Sequence, residues 1–304
     1  MAILLRIAGS TLGIASMFLA PVAVSAQSGP PETGQEGEGS EERRGPPPGI
    51  PADSVFDETW ATVGIGVAAS ASYRGSDDYR VIPLPVVQGQ IEGVRIQTRG
   101  PGATLNFIPE KRDELSFSAG PAFRFRNDRA SQIEDEVVEL AGELDTALEV
   151  GLAAGVSVPG VLIPVDRLSF DVEARWDVLG AHDGRVIEPR ISLFSPLSRG
   201  AAASIGLSAE FVDDNYADYY FSVSPAQSLA SGLPEFEADG GLQSLGANVF
   251  LAVDLDGNAF NGGFSVVTIG GYTRLVGDAA DTPYTSERGS ADQFFGAIGI
   301  GYTF

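Results

Sequence analysis

The sequence contains no cysteine, a single histidine and few basic residues. The absence of cysteine excludes disulfide bonds, thiolate catalysis, thiolate metal sites and the acylation of a lipoprotein. The 19 basic residues stand against 41 acidic ones, which gives a formal net charge of −22. Because so few cations are available to neutralise phosphates, this balance argues against a nucleic-acid partner. After residue 26, no segment is long and apolar enough to predict a transmembrane helix.

Two features of the first 58 residues predict export. Residues 1–26 have the form of a secretory signal, with Arg6 before a mostly apolar run and Val24-Ser25-Ala26 as a cleavage site. A membrane anchor is the alternative, because the run approaches spanning length. Residues 27–58 are rich in Gly, Pro and Glu, which predicts a disordered acidic tether in the periplasm. The mature chain is then expected either to be soluble in an exported compartment or to cross a membrane as strands.

The remaining residues, 59–304, alternate with a period of two. Side chains of a strand point to opposite faces in turn, so alternation assigns each residue to a face. In residues 168–178 one face is apolar and includes Trp176, whereas the other carries charges of both signs, including Glu173. That pattern is typical of a membrane barrel with lipid outside and a polar interior. The final segment alternates in the same way and ends on Tyr302 and Phe304, which we interpret as the membrane-insertion signal of an outer-membrane barrel.

The pattern predicts an all-β fold, an antiparallel transmembrane β-barrel of about 12 strands, over residues 59–304. Its connections alternate between short and long, as expected if both termini are periplasmic. Residues 81–109 can be drawn as two strands or as one bent hairpin. We also expect the ninth strand to extend irregularly to residue 223. The predicted strands are 60–73, 81–91, 93–99, 102–109, 114–126, 144–158, 166–178, 185–195, 201–213, 242–256, 259–274 and 292–304.

Three separated segments resemble motifs of the MltA-interacting protein family (MipA/OmpV). The first is YRGSDDYR at 73–80, followed by a Pro-Leu-Pro run; the second is YYFSVSPAQ at 219–227, followed by SGLP; the third is YTRLVGDAADTP at 272–283. Their order and spacing match the family over about residues 60–304. The motif residues are Tyr73, Gly75, Asp77, Asp78, Tyr79, Pro83, Pro85, Tyr220, Pro225, Gly232, Pro234, Gly277, Asp278, Asp281 and Pro283.

The resemblance implies an outer-membrane barrel in contact with lipid and lipopolysaccharide. It also implies a scaffold that brings a lytic transglycosylase together with a murein synthase, although other members are described as porin-like or adhesin-like. The family supplies no catalytic residues, so we expect no enzyme activity, no cofactor and no metal. A narrow channel for small solutes is the alternative function, and surface adhesion is a further one.

Charged residues on the predicted inner faces are the main candidate site. One interpretation is a self-paired network that fills a closed barrel, because unpaired buried charges are costly. The other is a water-filled path with a weak preference for cations; an intermediate strand number does not decide between them. The predicted lumen charges are Arg124, Arg126, Glu149, Asp171, Glu173, Arg175, Asp177, Glu188, Arg190 and Glu210.

Other residues that could carry chemistry have simpler interpretations. The adjacent pairs Asp77-Asp78 and Asp213-Asp214 would point to opposite faces of a strand, so we expect them to serve turns. His182 lies between glycines beside Asp183, and we expect it to be an exposed loop residue rather than a hydrolytic base. Aromatic residues near the predicted strand ends, Tyr73 and Trp60 among them, are expected to form interfacial girdles.

Overall fold

A computed structural model of the protein describes residues 54–57, 59–110 and 114–304. The predicted signal and all of the predicted tether before residue 54 lie outside the described residues. At the start of the described chain, a 3-10 turn at Val55–Asp57 packs Phe56 edge-on against Trp60, with ring centroids 4.9 Å apart.

Twelve antiparallel strands close into one barrel in which each strand pairs with its neighbours in sequence and β1 pairs with β12. This confirms the fold class and the strand count predicted from the period of two. The strands are β1 (Trp60–Ala71), β2 (Tyr79–Ile91), β3 (Val94–Arg99), β4 (Gly102–Asn106), β5 (Ser116–Arg126), β6 (Ala147–Pro159), β7 (Arg167–Asp177), β8 (Arg185–Pro196), β9 (Ala201–Val212), β10 (Gly241–Asp254), β11 (Gly263–Leu275) and β12 (Asp292–Thr303).

The outer face of the barrel is apolar and the inner face is small or charged. Ile65 and Trp176 are 71 % and 46 % exposed on the outside, whereas Glu173 is only 4 % exposed on the inside. The register carries this pattern from strand to strand, since Ile65 lies opposite Ile300 and Trp176 lies opposite Val150. A slip of one residue in any of these ladders would turn the apolar face of the strand toward the lumen, so the register is strongly specified.

The two ends of the barrel differ in their connections. At the short-connection end, the strands are joined by residues 92–93, 107–115, 160–166, 197–200 and 255–262. Both ends of the barrel chain meet there, because the Ala61 N–H donates to the Phe304 carbonyl at 2.9 Å. At the long-connection end, the strands are joined by residues 72–78, 127–146, 178–184, 213–240 and 276–291. The two-residue turn at 100–101 between β3 and β4 lines one cavity with Pro85, midway along β2.

The long connections contain short helices: α1 (Glu136–Leu140), α2 (Asp214–Phe221), α3 (Pro225–Ser231), α4 (Asp278–Asp281) and α5 (Pro283–Ser286). None of the helices in the described ranges has the length and hydropathy needed to cross a membrane. The expected extension of the ninth strand to residue 223 is wrong, because α2 occupies this segment. The Asp213 carboxylate accepts a hydrogen bond from the Tyr216 N–H at 3.2 Å and so caps the helix instead of continuing the strand.

Candidate functional site

Arginines and carboxylates on the inner face form one connected set of ion pairs, here called the lumen network. Nine of the ten predicted lumen charges belong to it, and the structure adds Arg74 from the first connection and Arg99 from β3. Its members are Arg74, Arg99, Arg124, Arg126, Arg175, Arg190, Glu149, Asp171, Glu173, Glu188 and Glu210.

The centre of the lumen network is removed from solvent. The side chains of Arg175 and Glu149 are 0 % exposed, and Arg175 Nε donates to Glu149 Oε2 at 3.0 Å. Arg175 also contacts Glu173 and, through Nη2 at 3.0 Å, Glu188. Arg126 Nε reaches the other oxygen of Glu149 at 2.6 Å. Because each buried charge has several opposite partners, the cost of desolvation is offset by direct pairing.

Several of these ion pairs cross the lumen instead of joining neighbouring strands. Arg99 on β3 donates to Glu173 on β7 at 3.0 Å. Arg126 on β5 reaches Glu210 on β9 at 3.5 Å, and Arg124 on β5 pairs with Glu188 on β8 at 3.1 Å. Arginine suits this role because its planar guanidinium presents several donors on a long side chain. The crossing pairs occupy the space through which a solute would have to pass.

Small residues on the inner face make room for the long charged side chains. A Cβ atom at Gly155 would lie 2.4 Å from Asp171 Oδ1 and 2.7 Å from the Ser118 hydroxyl. Gly155 faces Asp171 across the β6–β7 ladder, so the glycine provides space on the same face as the carboxylate. The sequence therefore alternates large outward residues with small inward ones because the interior is filled from a few positions.

Four long connections pack over the lumen network and form what we call the loop cap, residues 72–78, 127–146, 213–240 and 276–291. The loop cap packs around two apolar clusters, the first of which includes Val186, Val212 and Leu275 from the ends of β8, β9 and β11. One contains Val186, Val212, Tyr216, Ala217, Tyr220, Phe221, Ala238, Leu275 and Ala279. The other contains Tyr73, Val138, Ala141, Val223, Leu233 and Tyr284.

The loop cap brings the three family-like motifs together. The Tyr73 hydroxyl, from the first motif, donates to the Tyr284 carbonyl at 3.2 Å, next to the end of the third motif. The Thr282 hydroxyl of the third motif donates to the Phe221 carbonyl of the second at 2.6 Å. Gly75 has φ +99°, and a Cβ there would lie 2.2 Å from the Thr285 hydroxyl oxygen. These contacts show that residues far apart in sequence share one packed unit.

Arg129 is the polar centre of the loop cap. Its side chain stacks on the Tyr284 ring, 4.0 Å from the centroid, and the residue is 2 % exposed. It donates to the carbonyls of Tyr220 at 3.4 Å and Gly142 at 3.5 Å and to the Tyr284 hydroxyl at 3.4 Å. A single guanidinium thus joins the connection that carries α1 to those that carry α2 and α5.

An ion pair at the start of α1 adds a second link within the loop cap. Arg288 Nη2 donates to Asp135 Oδ2 at 2.7 Å. Burial disfavours the charged form of Asp135, but hydrogen bonds from Arg288 and from the backbone N–H groups of Val138 and Val137 outweigh it. The pKa of Asp135 is therefore lowered, so this link to the connection before β12 is charged over the ordinary pH range.

The expectation that His182 is an exposed loop residue is wrong. His182 is 3 % exposed and lies among the rings of Tyr216, Tyr219 and Tyr220, with centroids 5.0, 6.4 and 5.5 Å away. Its Nδ1 accepts the Gly184 N–H at 3.0 Å, and its Nε2 faces Glu149 Oε1 at 3.5 Å. The loop turns inward because the Asp177 carboxylate accepts the N–H groups of Leu179, His182 and Asp183.

Two further residues differ in role from the expectation. Asp177, predicted as a lumen charge, organises that loop and lies outside the lumen network. Tyr73, predicted to lie in an interfacial girdle, is 2 % exposed inside the loop cap. Trp60 is half-buried, whereas Trp176, Phe211 and Tyr302 are 46 %, 42 % and 43 % exposed on the outer face.

No group of three or more His, Asp or Glu side chains with the arrangement of a metal site occurs within residues 54–57, 59–110 and 114–304. The adjacent carboxylates also serve local structure, since Asp213 caps α2 and Asp214 Oδ1 accepts the Gly240 N–H at 2.9 Å. Asp278, at the start of α4, accepts the Asp239 N–H at 2.7 Å. Asp213, Asp214 and Asp278 therefore accept backbone N–H groups that organise the connections in which they lie.

Comparison with known families identifies the barrel. The sequence profile described as MltA-interacting protein MipA matches residues 63–304, from within β1 to the last residue. The chain belongs to this family. The match spans both the lumen network and the loop cap, and it includes the three motifs that meet in the cap. A closed barrel with an apolar exterior is also the architecture of outer-membrane proteins, so this MipA-family chain is an outer-membrane barrel.

Other similarities of the MipA-family chain are weaker or local. Over 108 residues it is 30 % identical to transcription elongation factor GreA of Caulobacter sp. (strain K31) and of Caulobacter vibrioides (strain NA1000 / CB15N), covering 34 % of this chain and 69 % of those proteins. These matches cover about a third of the chain, whereas the family profile covers residues 63–304, so the assignment depends on the family match.

Solved outer-membrane proteins show a distant likeness. An outer membrane channel from Pseudomonas putida F1 has 13 % identity and a TM-score of 0.44, covering 83 % of this chain and 98 % of that one. The outer membrane protein OprD from Pseudomonas aeruginosa has 12 % identity and a TM-score of 0.34, covering 79 % and 65 %. At these values the likeness carries no functional argument.

Proposed function

We propose that the protein is a non-catalytic scaffold of the outer membrane that holds a murein-processing enzyme at its short-connection end. This proposal rests on the observation that the lumen network crosses the barrel interior and the loop cap packs over it. A barrel filled in this way is suited to presenting a surface. The family name records an interaction with MltA, a lytic transglycosylase, which supports a partner of that class; a murein synthase would be a second partner.

The orientation of the barrel supports a periplasmic partner. Both ends of the barrel chain lie at the short-connection end, and barrels of this type place their termini in the periplasm. Under this proposal residues 27–58 extend into the same compartment as a tether. The loop cap then faces the cell exterior, in contact with the lipopolysaccharide layer.

One short connection is built to present apolar side chains. In residues 160–166, the Asp166 carboxylate accepts the N–H groups of Val161, Leu162 and Ile163 at 2.7, 2.8 and 3.0 Å. Burial acts against ionisation of Asp166, but these three hydrogen bonds outweigh it and lower its pKa. Leu162 is held at 72 % exposure on this turn. A fixed apolar tip surrounded by polar backbone fits a protein contact.

A photo-crosslinking residue at Leu162 should therefore form an adduct with a lytic transglycosylase in intact cells. The matched control is Leu229, which is 90 % exposed on α3 in the loop cap, at the opposite end of the barrel. Adducts are identified by mass spectrometry after purification of the barrel. Recovery of only lipid adducts at Leu162, or the same protein adduct from both positions, would argue against a periplasmic scaffold.

A channel for small solutes is the alternative function. It is favoured by the incomplete burial of Arg99, Arg124 and Arg190, whose side chains are 21 %, 17 % and 22 % exposed inside the barrel. Because the crossing ion pairs and the loop cap lie in series, we expect the purified protein to be electrically silent in a planar bilayer. Steady ohmic conductance from folded protein would favour the channel over the scaffold.

A further inference from the structure

Part of one edge of β2 has no partner strand among the residues that the structure describes. Along one side, residues 79–90 pair with β1 without interruption. Along the other side, only Gly89, Gln90 and Ile91 pair with β3. The β3–β4 hairpin turns back at residues 100–101 and follows β5 from there. Within the described ranges, residues 79–86 of β2 therefore have no strand partner on this side; we call this segment the β2 edge.

The sequence of the β2 edge is adapted to this gap. The Val87 carbonyl accepts the Thr98 hydroxyl of β3 at 2.6 Å, so residues of odd number direct their backbone groups toward β3. Pro83 and Pro85 share that parity and have no N–H to leave unpaired. Proline in a sheet is found where the N–H would face no neighbouring strand. The Pro-Leu-Pro motif thus marks the place where the wall is incomplete.

The gap beside the β2 edge is bounded at both ends. At the end nearer the loop cap, Arg80 donates to the Ser131 carbonyl at 3.0 Å. The other end is bounded by the β3–β4 turn at residues 100–101. Beside the turn, a cavity of about 290 Å³ opens on the outer face. It is lined by Pro85, Thr98, Gly100, Pro101, Gly102, Ala103, Phe123 and Phe125.

Both sides of the gap are apolar. On the outer face Val81 is 73 % and Phe125 is 52 % exposed. On the inner face, the alternation of β2 places Ile82, Leu84 and Val86, all half-buried. The inward residues Phe250, Ile269 and Phe295 on β10, β11 and β12 are also apolar. The strand-borne arginines and carboxylates of the lumen network lie on β3 and β5–β9, so this part of the wall is free of them.

We propose that the β2 edge is a lateral opening through which the acyl chain of a membrane amphiphile enters the barrel and lies against Ile82, Leu84 and Val86. Open strand edges are excluded from hydrocarbon unless they line a water-filled space. The remaining carbonyls and N–H groups of the β2 edge meet that condition if they are hydrated from the lumen, while the apolar side chains provide a path from the bilayer. This inference is separate from the scaffold function, which concerns the short-connection end.

The absence of cysteine allows a single fluorophore to test the opening. Leu84→Cys and Ile269→Cys are labelled with the same thiol-reactive fluorophore and reconstituted in phosphatidylcholine vesicles with brominated acyl chains. Both side chains point inward, but Ile269 lies on β11, which is paired with β10 on one side and with β12 on the other. We expect the brominated chains to quench the label at Leu84 several-fold more strongly than the label at Ile269.

Two further positions complete the experiment. Val67→Cys, 51 % exposed on the outer face, gives the full quenching of a lipid-facing label. Val86→Cys replaces Leu84→Cys if the latter does not fold, as judged by the heat-dependent mobility of the barrel on a gel. Equal weak quenching at Leu84 and Ile269 would overturn the proposal. Quenching at Leu84 by aqueous iodide but not by brominated chains would also overturn it, because the opening would then admit only water.

Discussion

Replacing Arg175 by alanine is expected to lower the free energy of unfolding by about 3–5 kcal/mol, the cost of breaking a buried ion pair from one side. Arg175 is fully buried and contacts Glu149, Glu173 and Glu188. Its removal leaves three carboxylates close together with fewer cations, so repulsion adds to the loss of pairing. The measurement is urea unfolding in lipid vesicles, followed by the fluorescence of Trp60 and Trp176.

Arg274→Ala is the matched control for that experiment. Arg274 pairs with Asp292 at 2.7 Å, but the two side chains are 49 % and 46 % exposed. Exposed pairs contribute at most about 1 kcal/mol, so this variant should unfold nearly as the unaltered protein does. Equal effects of the two substitutions would mean that the lumen is hydrated enough to screen Arg175, and the closed-barrel interpretation would fail.

Arg129→Ala should release the loop cap while leaving the barrel folded. The substitution removes a cation–π contact worth about 2 kcal/mol when desolvated and three hydrogen bonds of about 1 kcal/mol each. Local opening of residues 127–146 and 213–240 should therefore become at least about a hundredfold more frequent, since each 1.4 kcal/mol is a factor of ten. Hydrogen exchange of the cap amides measures this directly, with the amides of β6 and β7 as an internal reference.

Two comparisons separate cap opening from a general effect of mutation. Arg80→Ala removes an arginine whose hydrogen bonds are exposed, so it should leave exchange nearly unchanged. Gly75→Ala should open the cap as Arg129→Ala does, because its Cβ would meet Thr285, whereas Gly142→Ala has a similar φ of +97° and no atom within 4 Å. If both glycine variants behave alike, backbone strain and not cap packing determines the opening.

The barrel could be predicted from the sequence because its determinant is local. Alternation within one strand assigns each residue to lipid or lumen, and Trp176 and Glu173 follow that assignment without reference to any other strand. The uncertain segment, residues 81–109, forms most of β2 and the short β3–β4 hairpin. The hairpin pairs with only the last residues of β2 and so leaves the β2 edge uncovered. Pro83 and Pro85 contained that signal, since two prolines of the same parity are incompatible with a strand that is paired on both sides.

The loop cap could not be predicted in the same way, because its contacts join distant segments. The burial of His182 depends on Tyr216, Tyr219 and Tyr220, which come from a different connection. Local signals for the helices were present, however. Asp213 caps α2, and Ser224 with Gln227 forms a capping box at the start of α3. These signals indicate where helices begin, whereas the direction in which a long connection folds depends on its neighbours.

The lumen network could be predicted from the sequence only in part. Alternation placed most of its members on the inner face, but Arg99 is recognised only when β3 and β7 are known to face each other across the lumen. The partners of each arginine depend on how the strands are staggered around the ring, and that stagger is a property of the closed barrel.

The pairing of β1 with β12 has a consequence for assembly. The two strands that seal the ring are separated by nearly the whole barrel sequence, so sealing carries the largest loop-closure entropy of any ladder in the molecule. Until that seam forms, bulk water can reach the interior, and Arg175 and Glu149 are solvated ions instead of a dry pair. We therefore expect the buried ion pairs of the lumen network to gain their full strength only when this seam closes, so that a barrel with an open seam would lack much of the stability of the closed one.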